Sequence, residues 1–123
     1  MKKITAKKAP EAIGPYSQAV VSGNFVFTSG QIAIEPNTSQ IAEGGIEKQA
    51  IQVMENLKQV LLAAGSSLEK AVKVTVYLTD MNDFAKMNSV YEKYFTQKPA
   101  RSTFQAAKLP KNAKIEIDVI AEK

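Results

Sequence analysis

The chain has 123 residues, 45% of them hydrophobic, which suits one globular domain spanning residues 1–123. It contains no cysteine and no histidine, so disulfides, thiolate nucleophiles, Cys-type metal sites and the commonest general base are excluded. Fifteen lysines and one arginine against 12 acids give a net charge of +4, and the lysines are scattered, which argues against a nucleic-acid surface and mildly favours small anions.

The N-terminal MKKITAKKAPEA is basic and lacks the apolar run of a signal peptide. No apolar stretch approaches the ~20 residues of a membrane span, so a cytoplasmic protein with no membrane association is expected. Residues 16–22 and 25–34 are rich in Val, Phe, Tyr and Ile and predict two strands. Gly23-Asn24 between them predicts a tight hairpin turn. Residues 35–44 are a polar loop.

The period then changes. Ile46, Ala50, Val53, Met54, Leu57, Val60, Leu61 and Ala64 follow the i, i+3, i+4, i+7 rule, which predicts an amphipathic helix over 45–64. Gly65 is placed to end it in left-handed geometry. Residues 71–79 alternate, with Val72, Val74, Val76 and Leu78 on one face. Ala71, Lys73, Thr75, Tyr77 and Thr79 form the other, which is only half polar. Such a face either meets a second subunit or stays partly exposed.

Asp80, Asn82 and Asp83 offer N-capping for a second helix over 83–95, with a stripe of Phe84, Met87, Asn88, Tyr91, Tyr94 and Phe95. Asn88 is the odd member, since a buried amide needs partners. Residues 101–107 and 113–122 predict two more strands joined by a turn at LPKN. The expected order is strand, strand, helix, strand, helix, strand, strand, with hairpins at both ends. It defines an α+β fold, a mixed sheet with two helices on one face.

Few residues are suited to chemistry. Arg101 is the lone arginine, and its planar fork matches a carboxylate as no lysine can. Glu116, in IEID, is either on a solvated strand face or a desolvated base. Gly30 interrupts a β-rich run, which marks a bulge or a close backbone approach. Ser29 beside it has no histidine to activate it. Tyr16 follows Gly14-Pro15, a turn that presents its ring.

These residues coincide with one pattern. The stretches AIGPYSQAV, FTSGQI, VYLTDMNDFAKMN and PARSTFQAAKLPKNAKIEIDVIA resemble the reactive intermediate deaminase A (RidA, formerly YjgF) family along nearly the whole chain. The resemblance implies chorismate-mutase-like subunits that form a homotrimer around a central barrel, with active sites in clefts between neighbours. It implies hydrolysis of the 2-imino acids 2-iminobutanoate and 2-iminopropanoate to 2-keto acids and ammonia, with no cofactor and no metal. Arg101 then corresponds to the carboxylate clamp and Glu116 to the group that positions water. Gly30 would contribute its carbonyl beside that water, while Tyr16, Ser29 and Asn88 line the pocket. Thr103 stands where many members have cysteine, and its backbone N–H would bind the carboxylate. Two other activities remain open under this resemblance: a keto-acid-binding module that reports on branched-chain amino-acid metabolism, and an endoribonuclease that inhibits translation. The chain offers the latter little, with no histidine pair and no aromatics interleaved with a basic stripe.

Overall fold

A computed structural model describes residues 1–123. The first hairpin joins β2 (Ala19–Ser22) to β3 (Phe25–Thr28), with Ser22 opposite Phe25 and Gly23 at φ 59° in the turn. A strand absent from the sequence reading, β1 (Lys2–Ile4), pairs antiparallel on β2. The expected strand 25–34 breaks at Ser29-Gly30 and resumes as the short β4 (Gln31–Ile32).

The first helix, α1 (Gly45–Ala63), buries Ile46, Ala50, Val53, Met54, Leu57, Val60 and Leu61, the stripe that the period defines. It ends as expected at Gly65, φ 80°. The Gly65 N–H donates to the Leu62 carbonyl and the Ser66 N–H to the Leu61 carbonyl, which satisfies two carbonyls of the last turn. β5 (Ala71–Leu78) alternates, with one correction. A bulge between Ala71 and Lys73 turns Ala71 inward in place of Val72, so the buried row is Ala71, Val74, Val76 and Leu78.

The second helix begins with a single 3₁₀ turn, Met81–Asp83, where the Asp80 carboxylate accepts the Asn82 N–H at 2.9 Å. The α-helical part, α2, covers Phe84–Tyr94. Tyr94 Oη donates to Glu55 Oε2 at 2.8 Å and pins α2 to α1. Burial and then that carboxylate push the Tyr94 phenol up to about 12.

The C-terminal pair differs from expectation. β6 (Ala100–Gln105) and β7 (Ile115–Glu122) do not form a hairpin. The seven-stranded sheet runs β1-β2-β3-β7-β5-β6, with β4 also paired to β7. Only β5 and β6 are parallel. The chain leaves β5, crosses through α2 and returns alongside it, which makes the two strands parallel. β7 must then pair on the other side of β5. It takes the centre because Ile115, Ile117, Val119 and Ala121 form a wholly buried row.

Both helices cover that row. Residues of α1, α2 and the strands form one continuous hydrophobic cluster, with Leu57 and Met87 fully buried in it. The opposite sheet face is open. It carries Phe25 and Phe27, each 40% exposed, with Tyr77, Phe104, Glu116 and Asp118. No helix is long and apolar enough to cross a membrane.

Candidate active site

β6 is an edge strand, so half its backbone groups face away from the sheet. The bond from the Ala106 N–H to the Leu78 carbonyl, 2.7 Å, sets the phase. By alternation Ser102 and Phe104 bond toward β5, while Arg101, Thr103 and Gln105 direct their N–H and C=O groups outward. The same alternation turns the side chains of these three to the helix-covered face, where Gln105 Oε1 accepts the N–H of Met81, in the 3₁₀ turn before α2, at 3.0 Å.

Arg101 meets one face of α2. Its Nη1 donates to Asn88 Oδ1 at 2.7 Å. Its Cζ lies 4.7 Å from the centre of the Tyr91 ring and 5.5 Å from that of Phe84. Asn88 therefore sits in an apolar stripe because it has a charged partner there. One contact of a five-donor fork is used, which leaves the rest of the fork for a ligand. The Thr103 N–H points out of the same edge, and Thr103 Oγ1 is buried without a hydrogen-bond partner in the chain.

Glu116 belongs to a second group, on the open face. It stands opposite Tyr77 of β5 and Ile32 of β4. Its carboxyl packs on the backbone of Gly30, where a Cβ would lie 2.7 Å from Glu116 Cδ. Only glycine leaves room for that carboxyl at the break between β3 and β4. Burial, and then the charge of Asp118 two residues along, raise the Glu116 pKa above the ordinary carboxylate value. Asp118 in turn accepts from Tyr77 Oη at 3.0 Å.

Glu116 and Gly30 line a cavity of ≈ 220 Å³ with Tyr16, Ile32 and Gln18. Tyr16 is half exposed, and its hydroxyl accepts the Ile13 N–H at 3.4 Å. Ser29 is beside this cavity but not on its wall. It lines an adjoining hollow of ≈ 630 Å³ that also contains Tyr16. The Ser29 hydroxyl donates to the Ser17 carbonyl at 2.6 Å, tying the Tyr16 loop to the strand break.

Two buried amides missed in the sequence shape this cavity. Gln18 accepts the Ala6 N–H at 2.6 Å and donates to the Pro10 carbonyl at 2.7 Å, holding the N-terminal segment as a wall. Asn56, 1% exposed, donates to the Ile32 and Ile34 carbonyls and holds β4 beside Glu116. Asn56 lies within the α1 stripe, so a polar residue at a buried position was the available signal.

The structure thus brings Arg101, Asn88 and Thr103 together, and Glu116, Gly30 and Tyr16 together. It does not join the two groups within one chain. Glu116 aligns across the strands with Tyr77 and Phe104, three residues along β6 from Arg101. Two strand spacings and three residue steps separate their backbones by about 14 Å, with side chains on opposite faces.

The site thus consists of a guanidinium at a sheet edge and a partly desolvated carboxyl on the other face of a two-helix mixed sheet. Comparison with known proteins gives this arrangement a family. Residues 6–123 match the family described as endoribonuclease L-PSP, and the chain belongs to that RidA/YjgF family. It is 55% identical over 121 residues to a RutC family protein of Pyrococcus horikoshii, covering 98% of this chain and 96% of that one. It is 45% identical over 121 residues to the mouse 2-iminobutanoate/2-iminopropanoate deaminase, covering 98% and 90%. Among solved structures it superposes on Escherichia coli TdcF with bound serine at a TM-score of 0.95 and 45% identity, covering 100% and 99%. RidA from an Antarctic Psychrobacter matches at 0.96 and 44%, covering all of both chains.

Proposed function

We propose that this protein hydrolyses reactive 2-imino acids, 2-iminobutanoate and 2-iminopropanoate, to 2-keto acids and ammonia, in the cytoplasm and without a cofactor. The observation that carries this reading is the Arg101 guanidinium, held against Asn88 at the edge where the Thr103 N–H points out. That pair of donors suits a carboxylate. Relatives named as deaminases of these imines and a relative crystallised with serine, a small amino acid with the same carboxylate, support the choice of substrate.

The Arg101 group and the Glu116 group come together when copies of the chain assemble. In this reading the subunits form a homotrimer, and the Arg101 edge of one copy closes over the Glu116 cavity of the next. The apolar open face of the sheet, with Phe25, Phe27 and Phe104 exposed, provides surface for that contact.

The chemistry then follows. Arg101 and the Thr103 N–H hold the carboxylate next to the electrophilic carbon. Tyr16 closes the cavity, and Ser29 holds the Tyr16 loop in place. Glu116 and the Gly30 carbonyl orient a water. Its oxygen adds to the protonated imine carbon while Glu116 takes its proton. The raised pKa makes Glu116 a better base than an ordinary carboxylate. Glu116 then returns its proton to the nitrogen of the tetrahedral adduct, the C–N bond breaks, the nitrogen leaves as ammonia, and the hydroxyl gives its proton to solvent as the carbonyl of the keto acid forms. A protonated imine is already activated, so orientation supplies most of the acceleration.

The test is a coupled assay in which threonine dehydratase supplies the imine. The wild-type protein accelerates 2-oxobutanoate release and suppresses trapping of the imine by semicarbazide. Arg101→Ala is expected to lose nearly all of this while remaining folded. Full activity in Arg101→Ala would overturn the assignment, and binding of keto acid without acceleration by the wild type would make the protein a binder only.

A further inference from the structure

Three side chains of α2 meet the guanidinium, from Phe84, Asn88 and Tyr91. They lie at i, i+4 and i+7, one face of the helix. Asn88 was legible as a polar intruder. Tyr91 was not, because an aromatic in a helical stripe looks like core.

Tyr91 differs from an ordinary core residue in two ways. Its ring is the nearer of the two to the charge, at 4.7 Å. Its hydroxyl is buried and has no hydrogen-bond partner in the chain, although phenylalanine would fill the same space without that cost. Phe95 packs against the ring with centroids 4.7 Å apart, and Phe95 is only 2% exposed. The ring is therefore held in place before any ligand arrives. A planar cation lying over it gains attraction to the ring face and loses freedom to rotate. A clamp ordered in advance binds more tightly, because less freedom is lost on binding.

We infer that Tyr91 is a positioning residue for Arg101: its ring, packed against Phe95, works with the Asn88 carboxamide to present the free edge of the guanidinium beside the Thr103 N–H. This role rests on the carboxylate-clamp reading above. Tyr91 acts on the ligand only through Arg101.

The test measures 2-oxobutanoate binding by calorimetry and coupled deamination in Tyr91 variants, each in the Arg101 and the Arg101→Lys backgrounds. Tyr91→Phe keeps the ring and is expected to bind within about twofold of wild type. Tyr91→Leu removes the plane and is expected to raise Kd and KM about tenfold, with kcat nearly unchanged. In the Arg101→Lys background the same change is expected to have less than about a twofold effect, since a point charge has no plane to hold. A role confined to packing would move the melting temperature and leave KM alone. Tyr91→Met, which keeps bulk without a planar ring, carries the same test where the leucine variant does not fold.

Unchanged Kd in a cooperatively melting Tyr91→Leu or Tyr91→Met protein overturns the inference. So does a tenfold loss that persists with Arg101→Lys. Either result leaves the clamp reading intact. Wild-type binding by Arg101→Ala would instead remove the clamp reading itself.

Discussion

The Arg101 region and the Glu116 region are built on opposite physical terms. Arg101 is held in a favourable setting, with a carboxamide oxygen at 2.7 Å and two aromatic faces beside its charge. Glu116 is held in an unfavourable one, with its carboxyl partly desolvated, pressed on Gly30 and two residues from another carboxylate. A group that only holds a ligand benefits from being stable in its charged form. A group that must take a proton benefits from being uncomfortable in that form. Under the proposed function, binding falls to the first region and reaction to the second.

The largest effect that sharpens this contrast comes from Glu116→Gln. Removing the base is expected to lower kcat on the order of 100-fold while KM changes little. A KM effect alone would make Glu116 a binding residue. The same variant has a stability signature. Because its folded pKa is raised, Glu116 contributes most to stability below the ordinary carboxylate range, and this is lost as pH rises through the folded pKa. At neutral pH the ionised carboxylate is therefore a burden, so Glu116→Gln should melt higher there, with the difference fading in acid. A lower melting temperature at neutral pH would contradict the desolvation account.

Gly30→Ala should have the next largest effect. Its methyl group would occupy space held by the Glu116 carboxyl, so kcat should fall about tenfold while 2-oxobutanoate still binds through Arg101. Equal losses of binding and turnover would show that the two regions are not separable in this way. The smallest effect is expected from Asp118→Asn. It removes the second cause of the raised Glu116 pKa, so the acid limb of the kcat profile should move to lower pH. An upward movement would break the electrostatic argument.

The elements readable in the sequence are those with a local period. The α1 stripe, its Gly65 cap and the β5 alternation are all local patterns, and the structure contains them. What the period does not carry is pairing. Lys2–Ile4 is a strand only because Ala19–Val21 accept it as a neighbour. The parallel return of β6 and the central place of β7 depend on where α2 packs, not on any residue between Leu109 and Asn112. The bulge at Ala71 likewise reflects the register of β5 on β7.

The candidate site divides in the same way. Arg101 stood out as a unique residue type, Gly30 as a glycine in a β-rich run and Asn88 as an amide in an apolar stripe. Each is a local anomaly. That Arg101 and Glu116 face opposite sides of the sheet was not legible, because it depends on register across three strands. Asn56 offered the same signal as Asn88, an amide within an apolar stripe, whereas Tyr91 was hidden because an aromatic there looks like core.

The central claim is that one copy supplies Arg101 and its neighbour supplies Glu116. Mixing subunits tests it most directly. Arg101→Ala and Glu116→Gln proteins, each nearly inactive alone, are co-expressed or refolded together and assayed with the dehydratase-supplied imine. If each site draws one residue from each of two copies, random mixing regenerates intact sites at about one in four and restores activity to match. Activity no greater than the sum of the separate variants, in oligomers shown to be mixed, would contradict a shared site.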